Sequence, residues 1–342
     1  MNRKYLLRWS ALAIVLLFFL LGGVLGLPLL RSVSSTDEPV LVYVDRDDTF
    51  DSLAVKIEAT GKAEMTRGLR LAARFFRYRD HVRPGCYDVG SGQPAWVVVR
   101  KLRAGHQHPI RLTIPQAWTK EQLAARLSRQ LMADSASLAS LFNDAEALRA
   151  YDTSPEMLVS LFVPDTYEVY WTLSPDALLK RMAKEYNAFW TDERKTMAKQ
   201  QGLTPDEVAV LASIVDKETT NVSEMPMVAG MYLNRLRKNM PLQADPTVKF
   251  AVGDFALRRI LFSHLASDSP YNTYKYKGLP PGPICVPSPQ AIQAVLCPVR
   301  HNYLFMCAKE DFSNGHNFAA TYAEHLANAR RYQQALNQRG IK

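Results

Sequence analysis

The residues best placed to do chemistry lie in Thr204–Glu224, TPDEVAVLASIVDKETTNVSE. Thr204 suits a cap, Pro205 the first helical position, and Glu207 three residues after the cap completes a capping box, so a helix is predicted to start there. At about 100° per residue, Leu211, Ile214 and Val215 share one arc of that helix. Glu218 falls inside the arc, whereas Asp216 turns to the polar side. A carboxyl on a buried stripe near a helix C-terminus is disfavoured as an anion by desolvation and by the negative end of the helix dipole, which raises its pKa. A group of that kind keeps its proton at neutral pH and can act as a general acid. The same placement also suits a structural glutamate, paired with an arginine or reaching past the helix end.

The elements that must position this residue follow it. A second helix is predicted over Met227–Lys238, with Val228, Met231, Tyr232 and Leu236 on its apolar side. Arg235 falls inside that arc and needs a carboxylate or a helix end as partner; were the partner Glu218, the raised pKa would fall again. The loop Pro241–Val248 offers Gln243 and Asp245 with Pro246 stiffening the turn, and Tyr271, Asn272, Thr273 and Tyr274 form a second polar cluster. Asn317 is a third candidate. Polar side chains on rigid loops can hold hydroxyl and acetamido groups, and they can equally do no more than satisfy local backbone. The aromatic row Leu161–Trp171, LFVPDTYEVYW, reads either as a stacking surface for sugar rings or as core beneath a loop.

Taken in order, LASIVDKET, Asn234-Arg235-Leu236, Leu242-Gln243 with Asp245-Pro246-Thr247-Val248, YNTY at Tyr271–Tyr274 and GLPPGPI at Gly278–Ile284 resemble the endolytic murein transglycosylase (YceG-like) family. The resemblance covers most of the chain. It implies that Glu218, immediately before the Thr of an EKET-like motif, is the catalytic residue; Asp216 stands where the family commonly has another Glu. It also implies a lytic transglycosylase using one carboxyl and no metal or cofactor. Glu218 would protonate the glycosidic oxygen and then, as base, take the proton of the muramic acid C6 hydroxyl as a 1,6-anhydro ring closes. Gln243, Asp245, Tyr271, Asn272, Thr273, Tyr274 and Asn317 are then the expected substrate-binding residues. Two other readings stay open: a lysozyme-like hydrolase pairing Glu218 with Asp245, with Glu224 a further carboxylate that could approach, and a non-catalytic wall-binding scaffold. No Gly-rich phosphate loop, HExxH or GxSxG occurs, so nucleotide hydrolysis, zinc proteolysis and the common serine hydrolase arrangement find no support.

The 342 residues carry a net charge of +9, which favours acidic partners: membranes, nucleic acids or a carboxylate-bearing wall polymer. The expected fold class is α+β. Residues 1–8 are expected as a cytoplasmic N-terminus and the uncharged run 9–30 after Arg3, Lys4 and Arg8 as a transmembrane helix with the positive residues inside, a cleaved signal peptide being the alternative. A linker at 31–39 leads to a small α+β module over 40–115, LysM-like by the family resemblance, with strands at VLVYV, AWVVV (Ala95–Val99) and IRLTI and a short helix at Phe50–Ile57. Residues 116–203 read as helical, with helices over Lys120–Met132, Ser135–Ala150 and Asp176–Gln200, and residues 204–342 as a mainly helical catalytic domain with some strands, closed by an amphipathic helix over Tyr322–Asn337. This topology places the catalytic domain outside the cytoplasm, on a single-pass anchor in a bacterial inner membrane. There the basic stretch between Gly61 and Ile110, rich in arginine and carrying Phe75, Phe76 and Tyr78, is expected either to meet lipid or wall polymer and no nucleic acid, or to be no more than a solvated basic helix face. Expected partners are peptidoglycan strands near the membrane, whose elongation the enzyme would help to end, and, by the resemblance, peptidoglycan synthases. Cys86, Cys285, Cys297 and Cys307 show no metal-ligand spacing beyond an isolated Cys297–His301 match; a disulfide among the last three stays open.

Overall fold

The computed structural model describes residues 9, 13–16, 22–24, 26–90, 92–257 and 259–340. Residues 1–8 and much of the expected transmembrane run 9–30 therefore lie outside the described residues. Among the described residues no helix is long and apolar enough to cross a membrane. The chain divides into two units, Met1–Leu112 with Tyr167–Leu173, and Thr113–Thr166 with Ser174–Lys342.

In the first unit, strands β1 (Leu41–Val44) and β2 (Gly85–Asp88) pair antiparallel, Leu41 opposite Asp88 and Val44 opposite Gly85. Helices α1 (Phe50–Ala59) and α2 (Arg67–Phe75) run between them. α1 begins in a reciprocal cap: Ser52 N donates to Thr49 Oγ1, and Thr49 N donates to Ser52 Oγ. α2 buries Leu69, Ala72 and Ala73 and exposes Arg67, Arg70 and Arg74, so this part of the basic stretch is a solvated helix face.

AWVVV, expected as a strand, opens helix α3 (Ala95–Ala104). Its buried residues are Ala95, Val98, Val99 and Leu102, a helical stripe that continues past the apolar run, and Gly105 closes it at φ 73°. Burial of that stripe outweighs the strand preference of three consecutive valines. Strands β3 (Ile110–Thr113) and β4 (Thr166–Val169) form a second two-stranded sheet. Of the aromatic row, Leu161, Phe162, Tyr167 and Val169 are buried and Trp171 meets Tyr43 edge-on at 5.2 Å, so most of the row is core; Tyr170 is exposed.

The second unit holds helices α4 (Lys120–Leu127), α5 (Ser135–Asn143), α6 (Ala145–Arg149), α7 (Pro175–Phe189), α8 (Asp192–Gln201), α9 (Pro205–Glu218), α10 (Met225–Arg237), α11 (Asp245–Val252), α12 (Phe262–Leu265), α13 (Pro289–Leu296) and α14 (Tyr322–Gln338). Strands β5 (Phe305–Ala308) and β6 (His316–Ala319) pair antiparallel with Cys307 opposite Asn317. Leu211, Ile214 and Val215 of α9 pack in one core with Val228, Met231 and Tyr232 of α10, Ile292 and Val295 of α13, and Trp190. The regions read as 116–203 and 204–342 thus contribute to a single core.

Two helices expected as continuous are broken. Asp144 caps α6 through Glu146 N and Ala147 N, and Thr191 caps α8 through Arg194 N, because short polar side chains offer the backbone a new start. The expected loop Pro241–Val248 becomes helical from Asp245, with Pro246 in the first turn. All four cysteines are free thiols.

Candidate active site

Helix α9 carries Glu218 as its last residue. Its start is held by Glu207 N donating to Thr204 Oγ1 at 3.2 Å and Thr204 N donating to Glu207 Oε2 at 2.7 Å. Burial is unbroken from Val208 to Val215, which leaves the Glu218 carboxyl at the edge of the core. Tyr232 of α10, itself 1% exposed, donates its hydroxyl to Glu218 Oε1 at 2.6 Å. Burial pushes the Glu218 carboxyl up to about 7; the Tyr232 bond and Lys249 oppose the rise, and the negative charge of Asp245 adds to it.

Arg235 is not the partner of Glu218. Its Nε donates to Pro241 O at 3.0 Å, its Nη1 to Leu304 O at 3.1 Å and its Nη2 to Gln243 Oε1, with the guanidinium 5.5 Å from the Phe305 ring centre. The cation that would have drawn Glu218 to its ionised form is engaged by carbonyls. Gln243 sits at φ 51°, in the left-handed region, with its N–H donating to Thr273 O at 3.0 Å. A non-glycine residue stays there because both its side chain and its backbone are tied down.

Glu218, Tyr232, Arg235, Gln243, Asp245 and Tyr274 line one cavity of about 390 Å³, together with Phe305, His316, Tyr322 and His325. Tyr274 donates to Asp245 Oδ1 at 2.6 Å. Four of the candidates from sequence, Glu218, Gln243, Asp245 and Tyr274, therefore meet. The other four do not line this cavity. Asn272 Nδ2 donates to Leu265 O and Ser267 O, both at 2.9 Å, and Thr273 Oγ1 accepts from Ala244 N at 3.0 Å; both side chains are buried and set the loop that presents Gln243. The Tyr271 ring lies 4.5 Å from that of Phe250, and Asn317 Nδ2 donates to Glu310 Oε2 at 2.6 Å.

Tyr232, His316 and His325 are among the cavity residues that escape a reading of the sequence as catalytic or binding groups. Tyr232 reads there as one apolar position among several, although a phenol on a buried stripe signals a missing hydrogen-bond partner. His316 is gripped by Glu224, which accepts from its backbone N–H at 2.7 Å and bonds its Nδ1 at 2.8 Å. Glu224 also accepts from Thr219 Oγ1 at 3.2 Å. His325 stacks on Phe305 with ring centres 5.3 Å apart; its Nδ1 is buried with no hydrogen-bond partner among the described residues, and burial together with Arg235 pulls its pKa down. Asp216 is structural, accepting from Ser288 N at 2.9 Å and Ser288 Oγ at 2.8 Å at the start of α13. Among the described residues no group of three or more His, Cys, Asp or Glu is arranged to hold a metal ion. The cavity thus presents a carboxyl that stays protonated up to about pH 7 to any ether oxygen lodged against it, amid hydroxyl, amide and imidazole groups able to bond a polyhydroxylated ligand.

Residues 42–331 match the model of the YceG-like family. The chain belongs to that family. A Bacillus subtilis relative named endolytic murein transglycosylase is 27% identical over 272 residues, covering 75% of this chain and 74% of its own length. A Streptococcus pneumoniae protein of the same name is 26% identical over 316 residues, 83% of this chain; the match takes in 56% of its length. A crystal structure of a yceG-like protein from Listeria monocytogenes superposes with a TM-score of 0.58 at 26% identity, covering 85% of this chain and 99% of that one. Every residue named above as lining the cavity falls within the YceG-like region.

Proposed function

We propose that the chain is an endolytic lytic transglycosylase of peptidoglycan. The observation that carries this reading is the Glu218 carboxyl, raised to about 7 at the wall of a polar cavity and held by Tyr232. The names of the Bacillus and Streptococcus relatives support it. Glu218 gives its proton to the glycosidic oxygen as the C1–O bond breaks. The resulting carboxylate takes the proton of the muramic acid C6 hydroxyl as O6 bonds to C1, leaving a 1,6-anhydro end and restoring the acid. Gln243, Asp245 and Tyr274 bind sugar hydroxyl and acetamido groups, while Tyr271, Asn272, Thr273 and Asn317 act by fixing the loops and strand around them. With residues 9–30 as a single-pass anchor in a bacterial inner membrane and a LysM-like first unit on the glycan, cutting falls on nascent strands near the bilayer and ends their elongation, alongside the synthases that make them.

Muropeptide mass spectrometry tests this. Wild type should release anhydromuramic ends from purified glycan, and Glu218→Gln should release none; undiminished cleavage by the variant refutes Glu218 as the acid, and wild type that cleaves nothing leaves a wall-binding scaffold. Asp245 shares the cavity and raises the Glu218 pKa, which favours a lysozyme-like hydrolase as the second reading. Products with reducing ends would decide for it.

A further inference from the structure

The second unit contains another, larger cavity, of about 760 Å³, between the end of α8, one side of α10 and the segment 298–302. Its charged side chains are Arg237 and Arg300; among the described residues no Asp or Glu lines it, and the remaining polar groups include the amides of Gln201, Asn234 and Asn302. Arg237 is oriented by bonds from Nη2 to Gln201 Oε1 at 3.2 Å and from Nη1 to Asn234 Oδ1 at 3.5 Å, whereas Arg300 is exposed and, among the described residues, makes no ion pair or side-chain hydrogen bond. The wall is rigid. A Cβ added at Gly230 would lie 2.5 Å from Val299 O, so the segment rests directly on α10, and His301 Nε2 donates to Met227 O at 2.9 Å while its Nδ1 accepts from Tyr303 N at 3.0 Å.

Asn234 Nδ2 is spent on His301 O at 2.7 Å and Tyr303 O at 3.1 Å and Gln201 Nε2 on Leu296 O at 3.4 Å, so two guanidinium groups with the amides of Gln200 and Asn302, and among the described residues no carboxylate, make the receptor for oxyanions. The cavity shares α10 with the Glu218 site: Met231, Tyr232 and Arg235 face one, Gly230, Asn234 and Arg237 the other. An α-helix with its side chains is about 10–12 Å across. An extended peptide advances about 3.3–3.6 Å per residue, so a stem of about four residues spans that width. We propose that this cavity binds the carboxylates of the peptide stems borne by a glycan strand whose sugars occupy the Glu218 cavity. The ligand's identity rests on the transglycosylase reading.

The test uses the full chain carrying Glu218→Gln, which prevents turnover, and compares its Kd for soluble glycan strands with stems and for the same strands stripped by an amidase. Stem-bearing strands should bind about tenfold more tightly, an effect that weakens with salt. Adding Arg237→Gln and Arg300→Gln should abolish the difference and leave the affinity for stripped strands unchanged. Arg300→Gln alone, which removes no side-chain bond seen among the described residues, should weaken binding of stem-bearing strands several-fold. Equal affinity for the two strands, or a difference that survives in the Arg237→Gln/Arg300→Gln protein, overturns the proposal. So does binding to phosphatidylglycerol vesicles that is lost with those two substitutions while strand affinity is not, since the ligand is then a lipid phosphate. Wild type that cleaves both strands while stems make no difference refutes the site alone; wild type that cleaves neither refutes the reading beneath it.

Discussion

The hydrogen bond from Tyr232 opposes the burial that keeps Glu218 protonated. Tyr232→Phe removes the opposition and leaves the carboxyl harder to ionise and less well oriented. Glycan cleavage should therefore fall by about tenfold or more while the alkaline limb of its pH–rate profile moves up. An unmoved limb would show that the bond does not tune the acid. Burial of Glu218 also ties stability to pH. Its carboxyl titrates near 4.5 in the unfolded chain and at about 7 in the fold. Below the first value both states hold the proton; between the two the unfolded state loses it first, and above the second the fold is disfavoured by about 3 kcal/mol. Glu218→Gln removes this penalty, and its amide oxygen still accepts from Tyr232. The variant should match wild type in thermal midpoint at pH 4 and exceed it by several degrees at pH 8. A gap that does not widen with pH contradicts the buried-acid assignment.

At the scale of the element, α9 brings Glu218 to the cavity from a start roughly 20 Å away, at about 1.5 Å per residue. Thr204→Ala removes the acceptor for Glu207 N and should lower the unfolding free energy in urea by about 1 kcal/mol, with glycan cleavage unchanged in the folded protein. A loss of activity without a loss of stability would mean that the cap does more than start the helix. That start was legible because Thr204, Pro205 and Glu207 act within one turn, and so was Glu218, which sits on a stripe that three aliphatic residues define. α3 was misread because its period shows only when Leu102 is counted with Ala95, Val98 and Val99. The breaks at Asp144 and Thr191 were written in capping residues but masked by the helix-favouring residues on both sides, AEALR after the first and the largely polar DERKTMAKQQ after the second. Tyr232, His316 and His325 reach the cavity by tertiary approach, and no local pattern announces which distant side chains will converge there.

For the molecule as a whole, the division into units does not follow a single cut in the chain. Tyr167–Leu173 leaves the second unit's sequence and belongs to the first. There Trp171 packs edge-on against Tyr43 at 5.2 Å, and Thr172 Oγ1 accepts from Gln107 Nε2 at 2.8 Å. A cut at residue 115, where the sequence invites one, removes β3 and leaves β4 with an unpaired edge and with Tyr167 and Val169, both buried in the whole chain, open to solvent. Exposed apolar edge strands pair with one another. A fragment 116–342 should therefore elute as soluble aggregate in size-exclusion chromatography and unfold several degrees below a fragment 32–342, even though every residue of the Glu218 cavity lies within the shorter piece. Replacing Tyr167 and Val169 by threonine in the shorter fragment should restore a monomer, because the exposed edge then has no apolar face to bury. Should 116–342 instead behave as well as 32–342 without those changes, Tyr167–Leu173 contributes nothing to either unit's integrity, and the catalytic region is autonomous from residue 116 onward.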